Sequence, residues 1–133
     1  MRETELTESL DERGLLEDSQ RAGVYAIECA VPDQFADVEE AWANGHDAHP
    51  PDNTLERLAA ARRVAYVGAS THVYERLCEH IGSVREASFV GTYPPTAVIE
   101  VWPDETPFES EHNRTIELVR DDWTVWKDGE LYG

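Results

Sequence analysis

Three short runs rich in β-branched and aromatic residues set the limits on what this chain can fold into. Gly23-Val24-Tyr25-Ala26-Ile27-Glu28-Cys29-Ala30-Val31, Arg63-Val64-Ala65-Tyr66-Val67-Gly68 and Thr96-Ala97-Val98-Ile99-Glu100-Val101-Trp102 each read as a strand bounded by Gly or Pro. Elsewhere the apolar spacing turns helical. Phe35, Val38 and Trp42 fall at i, i+3, i+7 and predict a helix that starts after Pro32-Asp33 and ends near Gly45. Asn53-Thr54-Leu55-Glu56 reads as an N-cap with Glu three residues on, opening a short helix that turns Leu55, Leu58 and Ala59 inward. These two helices, at about 32–62, form an insertion between the first and second strands.

The second strand leads into a helix on which Val73, Leu77 and Ile81 recur every four residues, with Ser70-Thr71 as its cap and Gly82 as its stop. Thr106-Pro107-Phe108-Glu109 reads as a capping box with Pro at the first helical position, and that helix runs to about Arg120. Trp123 to Tyr132 reads as a closing hairpin around Lys127-Asp128-Gly129. Residues 1–20 are acidic, with Leu6 and Leu10 one helical turn apart, and are expected to form a short helix or a loose arm. Residues 21–133 are expected to form a single domain.

A chain of 133 residues, 41% apolar, is sized for one globular core. No apolar run approaches the roughly 18 residues that span a bilayer, and the opening Arg2-Glu3-Thr4-Glu5 is not a signal peptide. A cytoplasmic location with no membrane partner is expected. Cys29 and Cys78 read as small core residues, and Trp42, Trp102, Trp123 and Trp126 as core rather than a base-stacking platform. His46-Asp47-Ala48-His49 reads as a solvated loop.

Charge is the most unusual compositional fact. The chain carries 28 Asp and Glu against 11 Lys and Arg, a formal −17, and Lys127 is its only lysine. Self-repulsion on this scale destabilises a compact state at ordinary ionic strength and is screened out in molar salt, where the Debye length falls to about 3 Å. Such a surface resembles those of proteins from salt-accumulating halophilic archaea. The Arg residues are unevenly spread: Arg57, Arg62, Arg63, Arg76 and Arg85 cluster around the second strand and its helix, which predicts a local positive cleft.

The strands and helices carry an ordered set of polar groups. Gly23-Val24-Tyr25 opens the first strand and Tyr66-Val67-Gly68 closes the second. Arg76 follows Gly68 by eight residues, His80 lies one turn further on, and a later helix carries Glu111. This set resembles the GIY-YIG nuclease superfamily, and Tyr66 to Ser70 through Arg76-Leu77 resembles the UvrC N-terminal nuclease domain. The likeness covers roughly residues 21–31 and 63–120. It implies an α+β fold with a small three-stranded antiparallel sheet flanked by helices. It further implies divalent-metal-dependent endonuclease activity on DNA, in repair, recombination or defence, with the phosphate backbone as the contact.

Under that resemblance Tyr25 and Tyr66 present phenols at the sheet, one of them near the attacking water. Arg76 contacts the scissile phosphate, His80 accompanies it, and Glu111 holds Mg²⁺ or Mn²⁺. Gly68, His72, Arg63 and Arg85 would bind substrate. The residue types suit the chemistry. A guanidinium fork neutralises nonbridging phosphate oxygens and does not lose its proton, and a hard cation on a carboxylate can activate water. Phe108, Glu111, Thr115 and Leu118 at i, i+3, i+7, i+10 put this carboxylate on or beside the core face, where an acid needs a reason. Glu109, the cap partner, and Glu117, facing away, are weaker choices for the metal.

The chain departs from the family pattern in three places. Between Tyr25 and Tyr66 stand 40 residues (66 − 25 − 1), far more than a hairpin needs. His72 stands where the family often has Asn, and its late Asn has no clear counterpart. A module that keeps the fold without catalysis, binding nucleic acid or protein through the insertion, is the alternative expectation. An oligomer-forming subunit is a further one.

Overall fold

The computed structural model describes residues 2–46, 48–82 and 89–133. All three β-prone runs form strands, and the middle of their sheet is antiparallel as expected. β1 (Gly23–Cys29) is flanked by β2 (Val64–Ser70) and β3 (Pro95–Pro103), with Tyr25 opposite Gly68 and Val101. The expectation of three strands is corrected by the C-terminal hairpin. β4 (Thr124–Lys127) and β5 (Glu130–Tyr132) are joined through Asp128 (φ 49°) and Gly129 (φ 80°), the two left-handed positions of a tight Asp-Gly hairpin turn. β4 pairs in parallel with β2, giving a mixed five-stranded sheet of order β3-β1-β2-β4-β5. An isolated two-stranded hairpin is marginal in water. Docked on the β2 edge it buries Val125 and Trp126 and covers an edge that would otherwise be open.

Strand alternation sends side chains to two layers. Val24, Ala26, Ala65, Val67 and Val125 pack under Leu118 of α7 (Pro107–Arg120). Tyr25, Ile27, Cys29, Val64 and Trp126 face the other way, into the larger core. That core is closed by α1 (Glu3–Glu12), α2 (Leu16–Ser19), α3 (Phe35–Gly45), α4 (Thr54–Ala60), α5 (Val73–Gly82) and α6 (Phe89–Thr92). The N-terminal segment is therefore no loose arm. Leu6 and Leu10 are fully buried, and the Thr7 and Tyr74 hydroxyls lie 2.8 Å apart. The insertion is equally built in, with Val38, Trp42 and Leu58 buried and the Trp42 ring edge-on to Trp126 at 5.6 Å.

Several local expectations fail for identifiable reasons. Phe35 and Phe108 are exposed (42% and 67%), because α3 meets the core first at Val38 and the inward position of the first turn of α7 is taken by Pro107. The caps predicted at Asn53 and Thr106 form no side-chain bond to their helices. Asn53 adopts a left-handed backbone (φ 64°), and the Thr106 hydroxyl bonds Asp104 Oδ1 at 3.1 Å rather than the Glu109 amide. Pro107, with φ already helical, still starts α7 where expected. His46 does not sit free in a solvated loop: it stacks on Trp42 at 3.7 Å, and its Nδ1 lies 3.0 Å from the Thr92 hydroxyl. Among the described residues no helix is long and apolar enough to cross a membrane.

Candidate functional site

The parallel pairing between β2 and β4 covers only Val64 to Tyr66. Beyond Tyr66 the chain of β4 turns away through Asp128-Gly129, while β2 runs on through Val67, Gly68, Ala69 and Ser70. α5 approaches this stretch from the larger core and α7 from the opposite layer. The result is a cavity of about 280 Å³ lined by Tyr25, Tyr66, Gly68, Arg76, Glu111 and Asp128 on its polar side, with Val67, Ala69 and Phe108. Four residues far apart in sequence, Tyr25, Tyr66, Arg76 and Glu111, thus reach one space from four different elements.

Tyr25 is fixed from every direction. It is 1% exposed, its hydroxyl lies 2.7 Å from His80 Nε2, and its ring centroid is 6.4 Å from that of Tyr66 and 5.6 Å from that of His80. Tyr66 and His80 complete the triangle edge-on at 5.1 Å. The ring needs space on its cross-strand neighbour, and Gly68 supplies it. A Cβ at position 68 would stand 2.5 Å from Tyr25 Cζ and closer still to the hydroxyl oxygen. The Tyr-Val-Gly tripeptide on β2 thus has a steric cause: the glycine is the socket for the tyrosine of β1.

Burial pushes the Tyr25 phenol well above the usual tyrosine range, and neighbouring Tyr66 adds to the rise. The charge and hydrogen bond of Arg76 oppose it without cancelling it. Tyr25 therefore stays protonated beside Arg76, and its hydroxyl shares a hydrogen bond with His80 Nε2. His80 is fully buried, so it acts through Tyr25 and does not reach the cavity. Tyr66, only partly buried, is the phenol with access to solvent. Arg76 Nη1 is 2.8 Å from Glu79 Oε2, which holds one edge of the guanidinium.

Glu111 is pushed up to about 7, first by burial and then by a hydrogen bond and charge repulsion from Asp128, with Lys127 pulling the other way. Two carboxyl groups facing one cavity behave in this way because both cannot ionise without cost. A divalent cation removes that cost, and two hard oxygen donors with room for water and a phosphate oxygen suit Mg²⁺ or Mn²⁺. The donor set is thin, since the described residues contain no group of three or more His, Cys, Asp or Glu able to hold a metal.

The other predicted contacts are dispersed. His72 is exposed at the start of α5 and does not line the cavity, its amide donating to Ser70 Oγ at 3.0 Å. Arg63 sits at the far end of β2, donating to the Asp121 carbonyl at 2.6 Å with its guanidinium 4.1 Å over the Trp123 ring. Arg57 donates to the Gly133 carbonyl at 2.8 Å. Among the described arginines of the cluster only Arg76 lines the cavity, so the positive cleft expected around β2 does not assemble from them. Arg85 lies outside them. Glu109 is exposed and Glu117 pairs with Arg114 at 3.1 Å, so neither competes with Glu111.

Three contributors were not expected. Asp128 and Phe108 line the cavity, the first taken for a turn residue and the second for core. Lys127 is 8% exposed, with its Nζ 3.6 Å from Asp128 and 3.5 Å from His112 Nδ1. Lys127 did leave a signal in the sequence. In a chain whose other cationic positions are all arginine, the sole lysine is one of very few buried charges.

No family model, curated protein or solved structure matches this chain.

Proposed function

We propose that this protein is a divalent-metal-dependent endonuclease that hydrolyses phosphodiester bonds in DNA. The reading rests on one observation above all. Tyr25, Tyr66, Arg76 and Glu111, singled out by the resemblance to the GIY-YIG nucleases, line a single polar cavity at the open end of β2. Hydrolysis here needs three things: a cation for the developing charge on the nonbridging oxygens, a positioned water and a stabilised leaving oxygen. Arg76 supplies the first by forked hydrogen bonds that strengthen as the phosphorane-like charge builds. The partly exposed Tyr66 hydroxyl orients the water. Buried and protonated, Tyr25 is unsuited to act as a base. It holds the Arg76 guanidinium in register, and His80 holds Tyr25.

Glu111, with Asp128 beside it, would hold the Mg²⁺ or Mn²⁺, whose chemistry is to lower the pKa of bound water and to neutralise the leaving oxygen. Lys127 keeps this acidic corner from repelling phosphate when no cation is present. The wider body, at −17, gives little help to backbone binding, which weakens steeply with salt in any case. Cleavage is therefore expected to show modest affinity and broad sequence tolerance.

Nicking of supercoiled plasmid by the purified chain, across a KCl series and with Mg²⁺, Mn²⁺ or a chelator, tests the reading. Cleavage that requires the metal supports it. A folded protein that nicks neither plasmid nor branched DNA under any of these conditions removes it, and the non-catalytic binding module then becomes the better account.

A further inference from the structure

Phe108 is the one large apolar side chain in the cavity lining that is also strongly exposed, at 67%. It is the second residue of α7, and nothing in the core explains it, because Pro107, Thr115 and Leu118 hold the buried positions of that helix. Its place relative to the chemistry is fixed. Phe108 and Glu111 are i and i+3 on one helix, so their Cβ atoms stand roughly 5–6 Å apart on the same side. That is about the reach from a backbone phosphate to the base of its own nucleotide. An aromatic face at the rim, one short step from the groups that would hold the phosphate, is placed to meet a base.

Resting on the nuclease reading, we infer that Phe108 stacks on an unpaired base next to the scissile phosphate, and so selects single-stranded or unpaired DNA at the point of cleavage. Base stacking is sequence-tolerant because every base offers a π-face, but a base inside a duplex already has both faces covered. Charge makes the contact more than an accessory. The chain carries −17, the described arginines around β2 other than Arg76 do not line the cavity, and phosphate attraction fades as salt rises. Stacking does not fade with salt. A stacking contact would add to the phosphate contact of Arg76 where that contact is weakened by salt.

The test uses the full chain with Phe108→Ala and Phe108→Trp, and a short fluorescein-labelled oligo-dT against a blunt duplex of the same length. Anisotropy is read with Ca²⁺ in place of Mg²⁺, alongside cleavage kinetics and thermal melting. Phe108→Ala is expected to bind oligo-dT roughly tenfold more weakly and to raise KM with little change in kcat. Phe108→Trp retains or improves binding, duplex binding is unchanged, and both variants melt like wild type because the side chain is exposed. The wild-type advantage over Phe108→Ala persists as KCl rises.

Equal affinity of wild type and Phe108→Ala for oligo-dT overturns the inference while leaving the nuclease reading intact, provided wild type cleaves. An equal loss on single strand and duplex also overturns it. Unchanged DNA binding with altered self-association would reassign Phe108 to a protein contact. Wild type that neither binds nor cleaves any DNA removes the inference together with the reading it rests on.

Discussion

Replacing Gly68 by Ala should damage the protein through one contact, and the damage should vanish when that contact is removed. The new methyl would stand 2.5 Å from Tyr25 Cζ. The obstacle is a ring 1% exposed and tied to the buried His80 by a 2.7 Å hydrogen bond, so it has nowhere cheap to go. Overpacking of this kind costs about 1–3 kcal/mol. Gly68 is not among the residues with left-handed backbone, so alanine also restrains the unfolded chain and returns about 0.4–1 kcal/mol. The net loss for Gly68→Ala is then up to about 2.6 kcal/mol, or at most roughly 10 °C in Tm for a domain of this size. Tyr25→Ala alone costs about 3–5 kcal/mol through the cavity it leaves. In that background the position-68 methyl meets empty space, and Gly68→Ala becomes neutral or mildly stabilising. The coupling between the two substitutions should equal the clash, about 1–3 kcal/mol, measured by urea denaturation of the four proteins of the cycle. A Gly68→Ala cost that is the same in both backgrounds, within about 0.5 kcal/mol, would refute the socket argument.

Other perturbations follow from the same geometry. Leu10→Ala should cost about 2–5 kcal/mol in denaturant unfolding, because this side chain is fully buried in the main core; a cost near zero would return the N-terminal segment to the status of an arm. The Glu111 carboxyl lies at about 7 in the fold against an ordinary value of 4.5, so its ionised form is disfavoured there, and the stability this gives is full below pH 4.5 and lost as pH climbs through 7. In metal-free buffer the Tm advantage of Glu111→Gln over wild type should therefore be larger at pH 8 than at pH 4.5, and an equal gap at both would contradict it. Adding Mn²⁺ at pH 8 should raise the wild-type Tm and leave that of Glu111→Gln unmoved.

Much of the fold could be read from residues whose effect is local. The strands announce themselves by β-branched runs ending at Gly or Pro, and the hairpin by Asp128-Gly129, since only such residues take two left-handed positions in succession at little cost. That this hairpin docks in parallel on β2 has no local signature, because it depends on which edge the other strands leave free. Periodicity placed Phe35 and Phe108 on core faces, yet both side chains are exposed. It could not say that α3 meets the core first at Val38, or that Pro107 takes the inward position in the first turn of α7. The tyrosines, Arg76 and Glu111 were visible through the family resemblance that their order and spacing carry. Asp128 was hidden because its turn role accounted for it fully, and Gly68 because a cross-strand clash requires knowing the register. The scattered arginines show the converse: neighbours in sequence reach separate partners once β2, α4 and α5 diverge.

Single-turnover cleavage of a labelled branched oligonucleotide in Mg²⁺, by wild type, Arg76→Ala and Glu111→Ala, with melting curves recorded for all three, tests the central claim most directly. The account predicts chelator-sensitive cleavage by wild type, a loss of about a hundredfold or more in each variant, and intact folding throughout. Cleavage that survives both substitutions, or that no wild-type preparation shows while folded, would contradict it.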